Sequence, residues 1–152
     1  MPRKSTSINM LTKEQKRTIA DTIRQAESLT SGEIRVHLDR FGSNNPMEKA
    51  TATFERLGMT RTKERNGVLI YLCFTRQQIA VLGDRGIHEK VPEGFWNDIY
   101  QILANHFKKG DYTEGICQAV LKVGEKLSAF YPHRTDDVNE LSNELSEEWK
   151  TY

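Results

Sequence analysis

Apolar residues follow two different rhythms along this chain of 152 residues. Segments 68–74 and 79–82 are apolar at almost every position, which is typical of strands that are buried on both faces. Only residues 75–78 separate the two runs, and such a short polar turn favours an antiparallel hairpin. The pattern therefore predicts two neighbouring strands in the middle of a layered protein.

A third strand is predicted over residues 33–40, where apolar and polar residues alternate. One face therefore lies in the core, and the other meets water or a site. The polar face carries Arg35, His37 and Asp39, a histidine between a cation and an acid, which is chemically usable. We favour the simpler interpretation, a solvent-exposed edge strand whose charges discourage unwanted pairing.

The remaining apolar residues recur at helical spacing in four segments. Thr12 and Gln15 form a capping-box pattern at the start of the first, and prolines open two others. The predicted order is α-β-α-β-β-α-α. This order predicts an α/β fold, a three-layer α/β/α sandwich around a small mixed sheet.

Composition narrows the class of protein. Lys and Arg number 22 against 21 Asp and Glu, so the net charge favours neither nucleic acid nor an anionic membrane. No window approaches about 18 consecutive apolar residues, and the N-terminus lacks the apolar region of a signal peptide. Cys73 and Cys117 form no disulfide framework. We therefore expect a soluble, cytoplasmic protein with no membrane span of its own and no nucleic-acid partner.

The chain divides into an N-terminal arm (1–10), a folded domain (11–132) and an acidic tail (133–152). The tail has six acidic and two basic side chains. Such a segment is often disordered. Its apolar residues nevertheless recur at spacings of three and four, which also fits an amphipathic helix docked on the body or on a partner. These residues are Val138, Leu141, Leu145 and Trp149.

Four short motifs resemble, in order, those of the TPM domain family of thylakoid and bacterial envelope proteins. They span residues 30–36, 65–70, 83–89 and 110–115, and the resemblance covers about 11–132. It implies an α/β/α sandwich, divalent-cation binding, and an acid phosphatase activity described for plant members involved in photosystem repair. This chain differs in two respects: no signal peptide or membrane anchor is predicted, and Arg65 stands where the family usually has an acidic residue.

A cation site is the first candidate for function. Asp84 follows a predicted strand, and ligands of open α/β sheets gather beyond the carboxyl ends of strands. Carboxylates from two loops could bind Ca²⁺ or Mg²⁺ weakly, although a helix cap at Asp111 and a surface position for Glu89 are the ordinary alternative. The candidate ligands are Asp84, Glu89, Asp111 and Glu114, and the further candidates around them are Arg85, Asn66 and Glu64.

A phosphoryl-transfer site is the second candidate. The sequence has no Asp-x-Asp pair, no cysteine-phosphatase cradle and no P-loop. A phosphatase would therefore have to be metal-assisted, with Asp84 and Asp111 on the metal and Arg85 on the phosphate.

The sequence thus leads to one preferred function and two alternatives. The preferred function is a Ca²⁺- or Mg²⁺-binding accessory domain that acts through a protein partner, a membrane-associated one included, without efficient catalysis of its own. The alternatives are a metal-dependent acid phosphatase of broad specificity and a structural adaptor that has no metal site.

Overall fold

The structure is a computed structural model that describes residues 11–133 and the pair Ser146–Glu147. The strands are β1 (Glu33–Leu38), β2 (Gly67–Cys73), β3 (Gln78–Gly83) and β4 (Ser146–Glu147). The helices are α1 (Lys13–Glu27), α2 (Pro46–Arg56), α3 (Arg85–His88), α4 (Phe95–Lys108) and α5 (Tyr112–Phe130), with a turn of 3₁₀ helix at Met59–Arg61. The long elements confirm the predicted order, and the single-turn α3 and the two-residue β4 are additions to it.

The strands form one mixed sheet in the order β3-β2-β1-β4. β1 runs parallel to β2, with Glu33 opposite Gly67. β3 runs antiparallel to β2, with Gly83 opposite Val68, which confirms the predicted hairpin. β4 adds in parallel to the end of β1. Because β3 is reversed, its carboxyl end lies beside the amino ends of β1 and β2.

Helices cover both faces of the sheet, which confirms the three-layer sandwich. On one face α1, α4 and α5 enclose the larger core against alternate residues of β1 and β2, namely Ile34, Val36, Leu38, Val68, Ile70 and Leu72. On the other face α2 packs Ala50 and Phe54 on Leu69, Tyr71 and Ala80. Consecutive residues of β2 thus enter different cores, which explains its unbroken apolar run.

β1 differs from its prediction. The strand lies between β2 and β4, and all six of its residues are buried. Arg35 is 8% exposed, and His37 and Asp39 are each 3% exposed. The expectation of a solvent-exposed edge strand was therefore wrong, because a further strand covers the edge of β1 and the polar face turns toward the α2 side of the sheet.

The ends of the chain are described only in part. Thr12 caps α1 through its reciprocal hydrogen bonds with Gln15, as predicted. The predicted arm (1–10) lies outside the described residues. The predicted tail helix also lies outside the described residues, apart from Ser146 and Glu147. These two residues form the short strand β4. None of the described helices is both long and apolar enough to cross a lipid bilayer.

Candidate functional site

The predicted cation ligands lie at opposite ends of the sheet. Asp84 follows Gly83, which pairs with Val68 at the amino end of β2. Asp111 instead precedes Tyr112, whose ring centroid is 5.2 Å from that of Phe74, just past the carboxyl end of β2. A strand of seven residues separates these ends by roughly 20 Å. Asp84 and Asp111 therefore do not share a site.

Strand direction explains the separation. The carboxyl ends of parallel strands lie together at one end of a sheet, and ligands bind at this end. Because β3 is antiparallel to β2, Asp84 follows β3 at the opposite end. Across residues 11–133, no three His, Cys, Asp or Glu side chains are grouped so that they could hold a metal ion.

Asp111 and Glu114 occupy an ordinary helix start. Both are exposed, and Asp111 stands at the N-cap of α5. Glu114 lies in the first turn of α5, where a negative charge complements the helix dipole, and it accepts a hydrogen bond of 2.7 Å from Gln118. The alternative interpretation is thus confirmed for the N-cap position of Asp111 but not for its side chain, which makes no capping hydrogen bond.

The other predicted residues come together at the amino end of β2, in what we call the Asp84 corner. It comprises Glu64, Arg65, Asn66, Asp84, Arg85 and Glu89. Asp84 is buried and accepts hydrogen bonds from Arg65 Nε at 2.7 Å and from Arg65 Nη2 at 2.9 Å. It also accepts the Arg85 backbone N–H at 2.8 Å and so caps α3. The bidentate Arg65 contact is the strongest geometry for a carboxylate and a guanidinium.

The backbone of Arg65 reinforces this corner. Arg65 has φ +53°, a left-handed conformation that is uncommon for a residue other than glycine. Its carbonyl accepts the N–H of Gly86 at 2.9 Å and that of Ile87 at 3.3 Å. A Cβ at Gly86 would lie only 2.1 Å from the Glu64 carbonyl oxygen, so only glycine permits this approach. Arg65 therefore joins the start of β2 to the turn after β3 through both backbone and side chain.

The other two carboxylates of the corner, Glu64 and Glu89, are exposed. Burial raises the pKa of Tyr131, and the negative charges of Glu64 and Glu89 raise it further. Lys90 Nζ is 5.7 Å from the centroid of the Tyr131 ring. Asn66 is buried, and its Oδ1 has no hydrogen-bond partner among the described atoms.

The corner does not fit a divalent cation as it stands. Calcium takes six to eight oxygen ligands, and magnesium demands near-ideal octahedral geometry. Both oxygens of Asp84 already accept N–H donors, and the Arg65 guanidinium brings a positive charge against them. Hydrogen bonding to Asp84 in turn raises the pKa of Arg65, which therefore stays charged.

A second buried carboxylate, Asp39, closes the opposite end of the sheet. Its side chain is fully buried and accepts hydrogen bonds from the Tyr71 hydroxyl and, at 3.1 Å, from the Phe41 N–H. Lys49 Nζ lies 3.3 Å from Oδ2. Burial by itself would raise the pKa of Asp39, but these hydrogen bonds and the Lys49 charge together lower it.

One feature of the sequence indicates this cluster. Tyr71 is the only residue in the run 67–73 with a side-chain hydroxyl, and a buried tyrosine usually gives its hydroxyl a partner. Here the Tyr71 ring stacks on His37 with 6.2 Å between centroids, and the hydroxyl reaches Asp39. Because Asp39 is buried and already accepts several donors, it anchors β1 to β2 and α2.

Exposed residues surround that buried anchor. We call Arg40, Phe41, Met47 and Arg76 the Phe41 surface. The side chains of Phe41 and Met47 are 51% and 47% exposed. The Arg40 guanidinium carbon is 5.4 Å from the centroid of the Phe41 ring, and Arg76 donates to Asn44 Oδ1 at 3.0 Å. This surface lies at the carboxyl ends of β1 and β2, at the end of the sheet opposite Asp84.

A family model described as the TPM domain matches residues 5–126, most of the chain. The chain belongs to the TPM domain family. The predicted membership is thus confirmed, over a range close to the expected 11–132.

Solved structures agree with this assignment. The TPM domain described here resembles the BA42 protein of the psychrophilic bacterium Bizionia argentinensis, solved by NMR, with 36% identity and a TM-score of 0.86. That match covers 94% of this chain and 99% of the other. The N-terminal domain of a P. gingivalis protein shares the fold, with 22% identity, a TM-score of 0.63 and 83% of each chain covered. None of the curated proteins matches this chain.

Proposed function

We propose that this TPM domain is a non-catalytic accessory domain that binds a protein partner through the Phe41 surface. The observation that carries the proposal is that Arg40 lies over the exposed ring of Phe41 at the end of the sheet that also carries the exposed residues Met47 and Arg76. Open α/β sheets bind their ligands at this end. The partner that fits is an acidic protein segment with apolar side chains of its own.

The chemistry of the surface supports a protein partner. Aromatic residues, Met and Arg are enriched in protein interfaces, and an aromatic anchor beside an arginine often contributes much of the binding energy. Asp39, the carboxylate beneath this surface, is buried and faces Lys49. Among the exposed residues, Arg40 and Arg76 outnumber the single acidic neighbour Glu48, so the exposed charge is positive on balance and favours an acidic partner.

The same geometry gives little support to the phosphatase alternative. The predicted metal-assisted reaction requires Asp84 and Asp111 to bind the same metal ion. The two residues lie at opposite ends of β2, so they cannot do so. His37 and Asp39 could have served as an acid-base pair, but both are buried below the surface that a substrate could reach. Binding of Ca²⁺ or Mg²⁺ is implied by the family resemblance and stays a prediction outside this proposal.

Peptide binding to the full chain tests the proposal. The probes are fluorescein-labelled helical peptides of one apolar pattern, with either Glu or Lys at the polar positions, followed by fluorescence anisotropy. We expect the acidic peptide to bind, the basic one not to bind, and added salt to weaken binding. Phe41→Ser and the double variant Arg40→Glu/Arg76→Glu should each weaken binding by about tenfold or more.

A matched control lies on α5, far along the chain from this surface. The double variant Leu121→Ser/Lys122→Glu removes an exposed apolar side chain and reverses an exposed charge. It should bind the acidic peptide as the wild type does. The proposal fails if the acidic peptide does not bind, or if the control weakens binding as much as Phe41→Ser.

A further inference from the structure

The family resemblance implies a bound divalent cation, yet Asp84 already faces a cation of the chain itself, the Arg65 guanidinium. We infer that the Arg65 guanidinium takes the place of a divalent cation beside Asp84 and holds the Asp84 corner together without metal. Arg65 Nε and Nη2 lie 2.7 and 2.9 Å from the two oxygens of Asp84. A metal ion that bound both of these oxygens would have to displace the guanidinium.

Arg65 is held in this position by more than its ion pair. Its φ of +53° is maintained by the two N–H groups that its carbonyl accepts, from Gly86 and Ile87. The left-handed turn that directs the side chain is therefore part of the backbone structure. The side chain of Arg65 is 31% exposed, whereas that of Asp84 is 6% exposed. The cation thus reaches a buried carboxylate from the solvent side, which is the side from which a dissolved ion would arrive.

Charge balance at the corner supports the same inference. Two short segments that meet at this corner, 64–65 and 84–90, contain three carboxylates, Asp84, Glu64 and Glu89, and three side-chain cations besides His88, namely Arg65, Arg85 and Lys90. Removing Arg65 would leave an excess negative charge and would leave Asp84 Oδ2 without its donor, while Oδ1 would keep the Arg85 N–H. The groups left without a cation would then be carboxylate oxygens, which are the ligands that Ca²⁺ and Mg²⁺ prefer. Because Glu64 and Glu89 are exposed, such a site would be weak, with a Kd of about 1 mM.

The test compares the full chain with Arg65→Ala and with the matched control Arg85→Ala. The control removes a neighbouring positive charge and keeps the Arg85 backbone N–H that caps α3. Thermal unfolding and ¹⁵N amide shifts are followed with millimolar CaCl₂ or MgCl₂, against NaCl at equal ionic strength. Arg65→Ala should melt at a lower temperature, recover several degrees with the divalent cation, and shift its amides near residues 84–89. Wild type and Arg85→Ala should respond at least about tenfold more weakly.

Two further variants assign the effect. Arg65→Lys keeps the charge and should stay unresponsive, and Arg65→Ala/Asp84→Asn should lose the response because its carboxylate is gone. The inference is overturned if wild type binds as tightly as Arg65→Ala, if Arg65→Ala gives no response, or if Arg85→Ala responds equally. Should Arg65→Ala not fold alone, rescue by CaCl₂ or MgCl₂ supports the inference. Failure of that rescue overturns it, whether or not the double variant folds. Peptide binding at the Phe41 surface is independent of every one of these outcomes.

Discussion

Two buried aspartates lie at opposite ends of this sheet, and each forms an ion pair with a basic side chain. Asp39 follows β1 and faces Lys49 at 3.3 Å, while Asp84 follows β3 and faces Arg65 at 2.7 Å. Their other partners differ. Asp39 accepts a hydroxyl from Tyr71, a residue on a neighbouring strand, whereas every described donor to Asp84 comes from an adjacent turn.

Asp39 therefore stabilises the buried core, whereas Asp84 stabilises a turn near the surface. Tyr71 is fully buried and cannot regain water if Asp39 is lost, but Arg65 is partly exposed and can. Exposed apolar and basic side chains, those of the Phe41 surface, lie at the same end of the sheet as Asp39. At the Asp84 end, the exposed cation is itself part of the fold. A carboxylate at the end of a strand therefore does not by itself mark a ligand site.

The largest expected effect is the loss of Asp39. Asp39→Ala should lower the free energy of unfolding by about 3–5 kcal/mol, because it leaves a buried donor and a cation without their carboxylate. Urea denaturation measures this loss. Asp84→Ala should cost less, and Tyr71→Phe should reduce the cost of Asp39→Ala in a double-mutant cycle. Equal losses at Asp39 and Asp84 would contradict the distinction drawn between the two ends.

The backbone of the Asp84 corner gives the next effect. Gly86→Ala should destabilise the protein by about 3 kcal/mol, because its Cβ would meet the Glu64 carbonyl oxygen at 2.1 Å. Gly110→Ala is the control: it has φ +79° with open space around it, so only backbone strain of about 1 kcal/mol applies. Chemical denaturation of both variants gives the comparison, and a smaller loss at Gly86 than at Gly110 would refute the close approach.

The ion pair and hydrogen bonds of Asp39 should make the stability of the protein depend on pH in the acid range. The folded state lowers the pKa of Asp39 below its ordinary value of 3.8. Its contribution to stability is therefore present above that value and is lost as the pH falls through the lower, folded pKa. Urea midpoints measured from about pH 5 to about pH 2 should fall more steeply in the wild type than in Asp39→Asn. Parallel curves would show that Asp39 does not have this role.

The smallest effect on stability is expected at the Phe41 surface. Phe41→Ser and Arg76→Glu change exposed side chains, so each should alter the free energy of unfolding by less than about 0.5 kcal/mol. Thermal or urea unfolding checks this expectation. A loss comparable to that of Gly86→Ala would mean that these side chains support the fold, and the weaker peptide binding proposed for them would then need another cause.

Local patterns predicted most of the architecture. The alternation over 33–40 gave β1 and its core face, and the two unbroken runs gave β2 and β3 with their antiparallel turn. The capping box at Thr12 gave the start of α1. These features depend on neighbours within a few residues, which is the range over which sequence patterns are informative.

The candidate site was predicted less well, because its parts are distant in sequence. Glu64, Asn66, Asp84, Arg85 and Glu89 do share a corner, but Asp111 and Glu114 belong to the other end. The reversal of β3 was predicted, and it already placed the end of that strand away from the carboxyl ends of β1 and β2. What spacing alone did not reveal is that Arg65, in a left-handed conformation, turns its guanidinium onto Asp84.

By itself the sequence determined the long elements, their order and the family, since periodicity, caps and turn residues act locally. Only the tertiary structure decided which charges meet. Asp39 pairs with Tyr71 and Lys49, and Asp84 pairs with Arg65, over separations of 10 to 32 residues that the direction and register of the strands bring together. The physical reason is that a buried carboxylate must be satisfied by whatever donors the packing brings to it.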